Sequence, residues 1–283
     1  MILGTLFFLN TLAWIAVYDL AKPSFLEVNF FDVGQGDAIF IVTPAGHQIL
    51  IDGGPSSVIL EKLGNEMPFF DKSIDLIILT HPDRDHLAGL IDVLRKYETD
   101  NILWTGVIKD TSEYREWLDL IKEEEAQIYI AKSGQKIKSQ KVQFDILFPF
   151  ESLRDQECKN VNDTSIVARL NFNENYFLLT GDISKSIERE LAEKEIDIEA
   201  DVLKIAHHGS KTSSSLEFLK KVSPRVAVIS VGENNYGHPH PEVLEKLNFF
   251  DINTLTTNFL GDIKIISDGK ILKYGTAVSN FQN

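Results

Sequence analysis

The sequence predicts an α/β protein in which two mixed β-sheets pack face to face and helices cover both outer faces, a four-layer αββα sandwich. Three observations carry this. From Phe25 onward, short β-branched and aromatic runs of strand length are separated by Gly, Pro and Asp punctuation. Just after Asp85 the apolar spacing becomes helical, with Leu87, Leu90, Ile91 and Leu94 on one face. The same succession recurs in the second half, with no repeat, low-complexity tract or long linker between the halves.

Before the sandwich, MILGTLFFLNTLAWIAVY runs eighteen residues without a charged side chain. That length and the aromatics Trp14 and Tyr18 predict a transmembrane helix over residues 1–21. A cleaved signal segment is the alternative, but a basic leading region and a small-residue cleavage site are both missing. The expected localisation is a single-pass cell-membrane protein with residues 25–283 on the extracytoplasmic side. Neither flank is basic enough to fix that orientation.

Within 25–283 the strands read FLEVNFFDV, DAIFIVT, HQILID and IDLIILT, the last following a polar interval. The helix after Asp85 follows, then the strand Asn101 to Thr105, a helix around Leu118 and Ile121, and the strand Gln127 to Ile130. KVQFDILF, TSIVARLNF and NYFLLTGD are strands, Ser184 to Glu195 a charged helix, and DVLKIAHHG a strand. A helix from Ser214 to Val222, the strand RVAVISV, a helix opening at His240-Pro241-Glu242 and strands around Leu255 and Ile263 to Ile266 close the chain.

A chain of 283 residues with 43% apolar content can bury one good-sized core. The net charge of −14 argues against a broad basic face and so against wrapping duplex nucleic acid, while leaving room for a local phosphate site. With Cys158 as the single cysteine, an intramolecular disulfide and a thiolate zinc cluster are excluded, so any metal is held by nitrogen and oxygen.

Candidate ligands cluster where strands end. IDLIILT delivers THPDRDH, in which His81, Asp83, Asp85 and His86 crowd one turn; the bland alternative is that an aspartate caps the next helix. NYFLLTGD ends on Asp182, and DVLKIAHHG ends on His207 and His208. Three ligand-bearing strand ends in one sandwich would gather along one edge.

In that order, FFDVGQGDAIFI, ILIDGG, THPDRDH, NDTSIV, LLTGD, LKIAHHGSKTS and YGHPHPEVL resemble the metallo-β-lactamase fold, in particular the ComEC-type hydrolase domain and its free-standing relatives. The resemblance covers Phe25 to the carboxyl end; with one long apolar segment present, a channel function is not carried over. It implies two divalent ions, Mn²⁺ or Zn²⁺ with Mg²⁺ as a third candidate. They would be held by His81, Asp83, Asp85, His86, Asp182 as the bridging carboxylate, and His207. It places Asp52 behind the site, with Asp37, Asn162 and His208 as further supports. Two departures matter: Asp83 stands where a histidine is usual, and Asn162 near the place of another histidine ligand. An oxygen-richer first position favours harder ions or holds its ion weakly.

A divalent pair activates water and stabilises charge on the entering and leaving oxygens of an in-line displacement. The pair alone does not name the substrate; taken with the resemblance, the expected function is a phosphodiesterase or nuclease, with single-stranded DNA among its candidate substrates. Asp85 and His238 are the expected catalytic residues, His238 as acid or phosphate clamp. Ser210, Lys211, Ser213 and His240 are the expected substrate contacts, although a plain helix-capping run explains the serines as well. Lys204 has no assigned role. Hydrolysis of a small ester, thioester or lactone is the alternative, and a non-catalytic membrane-tethered binding domain is the second. Clustering of Lys204, Lys211, Lys220, Lys221 and Arg225 at the metal edge would favour nucleic acid.

Overall fold

The computed structural model describes residues 2–21, 25–276 and 279–282. The first sheet contains β1 (Leu26–Phe30), β2 (Ile39–Val42), β3 (Gln48–Ile51), β4 (Ser73–Leu79), β5 (Glu98–Trp104) and β6 (Gln127–Ile130). The second contains β7 (Lys136–Ser139), β8 (Val142–Phe148), β9 (Val167–Phe172), β10 (Asn175–Leu179), β11 (Val202–Lys204), β12 (Val226–Ile229) and β13 (Asn253–Thr256). The closing strands β14 (Ile263–Ser267), β15 (Leu272–Thr276) and β16 (Ser279–Gln282) return to the first sheet, where β14 pairs antiparallel with β1. Among the described residues the orders are β16-β15-β14-β1-β2-β3-β4-β5-β6 and β13-β12-β11-β10-β9-β8-β7.

Side-chain alternation explains the layering. Along β4, Leu76 and Ile78 enter the core between the sheets, with Phe144, Leu170 and Phe177 opposite. Ile77 and Leu79 point the other way, under α2 (Val58–Glu66), α3 (Arg84–Leu94) and α4 (Ser112–Glu123), whose Leu63, Leu90 and Trp117 share that cluster. On the far face, α5 (Lys185–Glu193), α6 (Leu216–Val222) and α7 (Pro241–Phe249) contribute Leu191, Phe218 and Leu247 against Leu178, Leu203 and Ala227. Strands covered on both faces become continuously apolar, as the fully buried Ile49 to Ile51 run of β3 illustrates.

Parallel pairing positions the site. β4 runs parallel to β3 and β5, and β10, β11 and β12 run parallel to one another, so the turns after β4, β10, β11 and β12 open at strand carboxyl ends. The turn after β3 is drawn against α3: Gly53 N–H donates to His86 O at 2.8 Å and Gly89 N–H to Gly54 O at 2.9 Å. The approach requires glycine on both sides, because a Cβ on Gly89 would stand 1.9 Å from Gly53 O.

Several expectations change. In the segment expected to be a transmembrane helix, residues 1–21, Ile2–Ala21 forms a helix, α1; among the described residues no helix is long and apolar enough to cross a membrane. Thr5, Asn10 and Thr11 interrupt its apolar run, and the Thr11 hydroxyl turns back onto Phe7 O at 2.9 Å. The polar interval before β4 holds α2, whose nine residues bury only Ile59 and Leu63 and so give a weak periodic signal. The helix expected from Ser214 begins at Leu216, because the Glu188 carboxylate accepts from Ser214 N at 2.6 Å and Ser215 N at 2.7 Å just ahead of it. DVLKIAHHG leaves the sheet after Lys204.

Candidate metal centre

β4 ends at Leu79, and Thr80 to Asp83 turn the chain into α3. Asp83 is the residue before the helix, in extended conformation, and its side chain makes no capping hydrogen bond. The carboxylate is thus left for other partners. His81 is 1% exposed and His86 fully buried, with ring centroids 4.1 Å apart.

Beyond β11 the backbone enters a turn in which His207 and His208 both have left-handed φ, 52° and 53°. Consecutive non-glycine residues there cost conformational energy and persist only where surroundings enforce them. Here His207 N–H donates to Gly181 O, and the buried Ser213 hydroxyl donates to Ala206 O at 2.8 Å. The turn swings His208 inward, where Nε2 lies 3.2 Å from Asp85 Oδ2 and 3.3 Å from Asp182 Oδ2. His86 Nε2 lies 3.4 Å from the same Asp182 oxygen. Asp85, His86, Asp182 and His208 therefore offer four ligand atoms within 4.8 Å of one another.

The outer nitrogens of the three buried histidines are fixed by hydrogen bonds. Nδ1 of His86 donates to Asp52 Oδ2 at 2.7 Å, and Nδ1 of His208 to Ser230 O at 2.8 Å. Nδ1 of His81 lies 3.1 Å from the Thr80 hydroxyl and 3.2 Å from the Ser165 hydroxyl. Both hydroxyls already donate elsewhere, Thr80 to Asp52 and Ser165 to Asn162 O, so His81 Nδ1 is the N–H donor. Each ring consequently presents Nε2 inward, the arrangement that orients histidine ligands in metal sites. Nε2 of His81 and of His86 are buried with no hydrogen-bond partner. Imidazole and carboxylate donors with orphaned buried nitrogens fit a divalent transition ion.

Electrostatics agree. Burial opposes charge on His208, but Asp182, Asp85 and Asp37 overcome it and hold its pKa up at about 10. Burial likewise opposes charge on His86, yet Asp182 and Asp52 raise it well above the ordinary range. Against the penalty of burial, His208, His86 and Lys204 hold the Asp182 carboxyl far below its usual value. Protons on two imidazoles thus balance the carboxylates where a cation would otherwise sit. His81 differs: burial first, then the charge on His86, keep it neutral.

Behind this cluster, the fully buried Lys204 ammonium pairs with Asp37, reaches Asp182 Oδ1 at 3.4 Å and donates to Gly181 O at 2.9 Å. Asp52 accepts from Thr80 N, the Thr80 hydroxyl and His86. Ser165 joins two parts of the centre, receiving Asp182 N–H at 3.0 Å while facing His81.

Of the expected ligands, His86, Asp85 and Asp182 come together; His81 and Asp83 lie beside them, with His81 Nε2 3.8 Å from Asp83 Oδ2. His207, expected as a ligand, is replaced in the cluster by His208, expected only as a support. His207 instead meets Asn162 Nδ2 at 3.3 Å and the Thr212 hydroxyl at 3.3 Å, with the His238 ring 5.6 Å away. Burial first, then His207 and His208, lower the pKa of His238 to about 4. Ser210 and Ser213, expected as substrate contacts, are both buried and tie the turn together, Ser210 through the Thr212 hydroxyl at 2.9 Å and Ser213 through Ala206 O at 2.8 Å. His240 caps α7, its ring accepting from Glu242 N. Lys211 is exposed beside the turn. Lys109, from the β5–α4 loop, was missed: it pairs with Asp83, and no local pattern announces a partner 26 residues away.

The family profile of the metallo-beta-lactamase superfamily matches residues 31–233. ComE operon protein 3 of Bacillus subtilis (strain 168) is 34% identical over 258 residues, covering 84% of this chain and 32% of that protein. Recombination protein 2 of Haemophilus influenzae is 31% identical over 255 residues, covering 87% and 29%. The chain therefore spans about a third of the length of these curated relatives. Among solved structures, the metallo-beta-lactamase fold protein YhfI from Bacillus subtilis superposes with a TM-score of 0.59 at 13% identity, covering 86% of this chain and all of that one, a likeness of fold.

Proposed function

The chain belongs to the metallo-beta-lactamase superfamily, and on that premise we propose that it is a metal-dependent hydrolase of phosphodiesters, with a DNA strand as its substrate. The observation carrying the hydrolase reading is the convergence of the inward Nε2 atoms of His86 and His208 on the Asp85 and Asp182 carboxylates, with the orphaned Nε2 of His81 beside them. Divalent ions bound there supply Lewis acidity and an acidified water. Asp85, His86, Asp182 and His208 would hold one ion, and His81 and Asp83 border a second position.

The remaining residues would work on substrate. Asn162, His207 and His238 line the open side, where neutral imidazoles and an amide can donate to phosphoryl oxygens. The buried Lys204 holds Asp182 from behind, fixing the orientation of its inner oxygen. The DNA part rests on kinship with a protein named for recombination.

One observation favours the alternative of a small ester, thioester or lactone. Of the cations expected to mark a nucleic-acid groove, Lys204 is buried, Lys221 donates to Ala192 O and Lys194 O, and Arg225 pairs with Asp201. Lys211 is exposed beside the histidine turn, and the net charge is −14.

The test is a substrate panel of model phosphodiester, single- and double-stranded oligonucleotides, lactone and thioester, run on Mn²⁺-loaded protein beside Asp85→Ala. Phosphodiester cleavage that disappears in the variant supports the proposal. Cleavage confined to the lactone or thioester selects the alternative, and full activity in Asp85→Ala after metal removal and restoration sinks both.

A further inference from the structure

Asp83 has two oxygens with different company. One pairs with the Lys109 ammonium; the other lies 3.8 Å from His81 Nε2, a buried nitrogen without a partner. Lys109 sits in the loop between β5 and α4, and that loop is pinned by Ile108 N–H donating to Gln156 O at 2.9 Å and by a bridge between Ile108 and Glu157. The ammonium is therefore presented to Asp83 by backbone pairing rather than by chance contact of a free surface lysine. The tight four-residue cluster has a different charge environment: Lys204 lies behind Asp182, on the side away from His86 and His208 Nε2.

We infer that Lys109 is a resident cation competing with a second divalent ion for Asp83, so that the centre fills in order. The first ion enters among Asp85, His86, Asp182 and His208. The second, between His81 and Asp83, binds more weakly because it must approach a carboxylate already neutralised and repel an ammonium at close range. A carboxylate at position 83 can recruit a lysine in this way, which a neutral imidazole or amide cannot. The inference rests on the metal-centre reading above and concerns occupancy, not substrate.

Metal-stripped full-length chain is titrated with Mn²⁺, following bound ion by electron paramagnetic resonance and heat by calorimetry, for the natural sequence, Lys109→Met, Lys109→Arg and Asp83→Asn. The natural sequence should take one ion tightly and a second at least about tenfold more weakly. Lys109→Met should tighten the second step several-fold and leave the first within twofold, Lys109→Arg should behave as the natural sequence, and Asp83→Asn should lose only the second step. Two ions of equal affinity in the natural sequence, or a second step untouched by Lys109→Met, would overturn the inference while leaving the metal centre standing. Uptake of no ion by any form overturns both.

Discussion

His208 Nε2 stands 3.3 Å from Asp182 Oδ2, while its neighbour His207 turns toward Asn162 and Thr212. Two adjacent histidines thus divide the labour, one facing the ligand cluster and one its open side. His208→Ala should lower metal affinity by at least about 100-fold, whereas His207→Ala should retain the ion and lose turnover. Equilibrium dialysis against Mn²⁺ separates the two; equal metal loss in both variants would contradict the assignment.

Metal uptake should be coupled to proton release. His86 and His208 carry raised pKa values, His208 at about 10, so at neutral pH both are protonated in the metal-free protein and must deprotonate to coordinate. Calorimetry in buffers of differing ionisation enthalpy should find close to two protons released for the first ion. Apparent affinity should rise with pH up to about 10, the value for His208.

The same shift fixes a stability trend. A histidine raised from 6.5 to about 10 contributes folding stability fully below 6.5 and loses it as pH rises through 10. Metal-free protein should therefore show a urea midpoint falling between pH 6.5 and 10, and the loaded protein a flatter profile. A midpoint independent of pH across that window in the metal-free form would show that His208 is not charged there.

Asp52→Asn tests the support behind the centre. The substituted amide has only one acceptor oxygen, so it cannot accept from Thr80 N on one side and from the Thr80 hydroxyl and His86 on the other; with its oxygen toward Thr80 N it presents N–H to His86 Nδ1, favouring the tautomer whose Nε2 is protonated. Metal affinity should fall about 10- to 100-fold with the far-ultraviolet circular dichroism unchanged.

Gly89→Ala places a methyl 1.9 Å from Gly53 O, forcing α3 away from the loop that carries Asp52. Urea denaturation should register a loss of roughly 3 kcal/mol or more. Gly64→Ala on α2, with nothing within 4 Å, is the control and should be neutral or stabilising by up to about 1 kcal/mol.

The strand runs, the helical spacing after Asp85 and the order of the ligand-bearing turns are all properties of nearest neighbours along the chain. Period-two and helical patterns report which face is buried, and an apolar strand followed by acids and histidines reports where a strand ends; hence the αββα layers and the grouping of His86, Asp85 and Asp182 were legible. Short polar α2 and the half-exposed β7 carried too few buried residues to register. The sequence by itself thus determined the layers and the candidate donor types. Tertiary structure decided which donor faces inward: β11 stops at Lys204, and left-handed φ at His207 and His208 breaks the alternation on which a strand-based choice depends. It also decided that Lys109 meets Asp83 and Lys204 meets Asp182, because a cation's partner is set by which loops and strands the sheets bring together. Backbone turns and long-range packing fix those choices, and neither leaves a periodic trace in the order of residues.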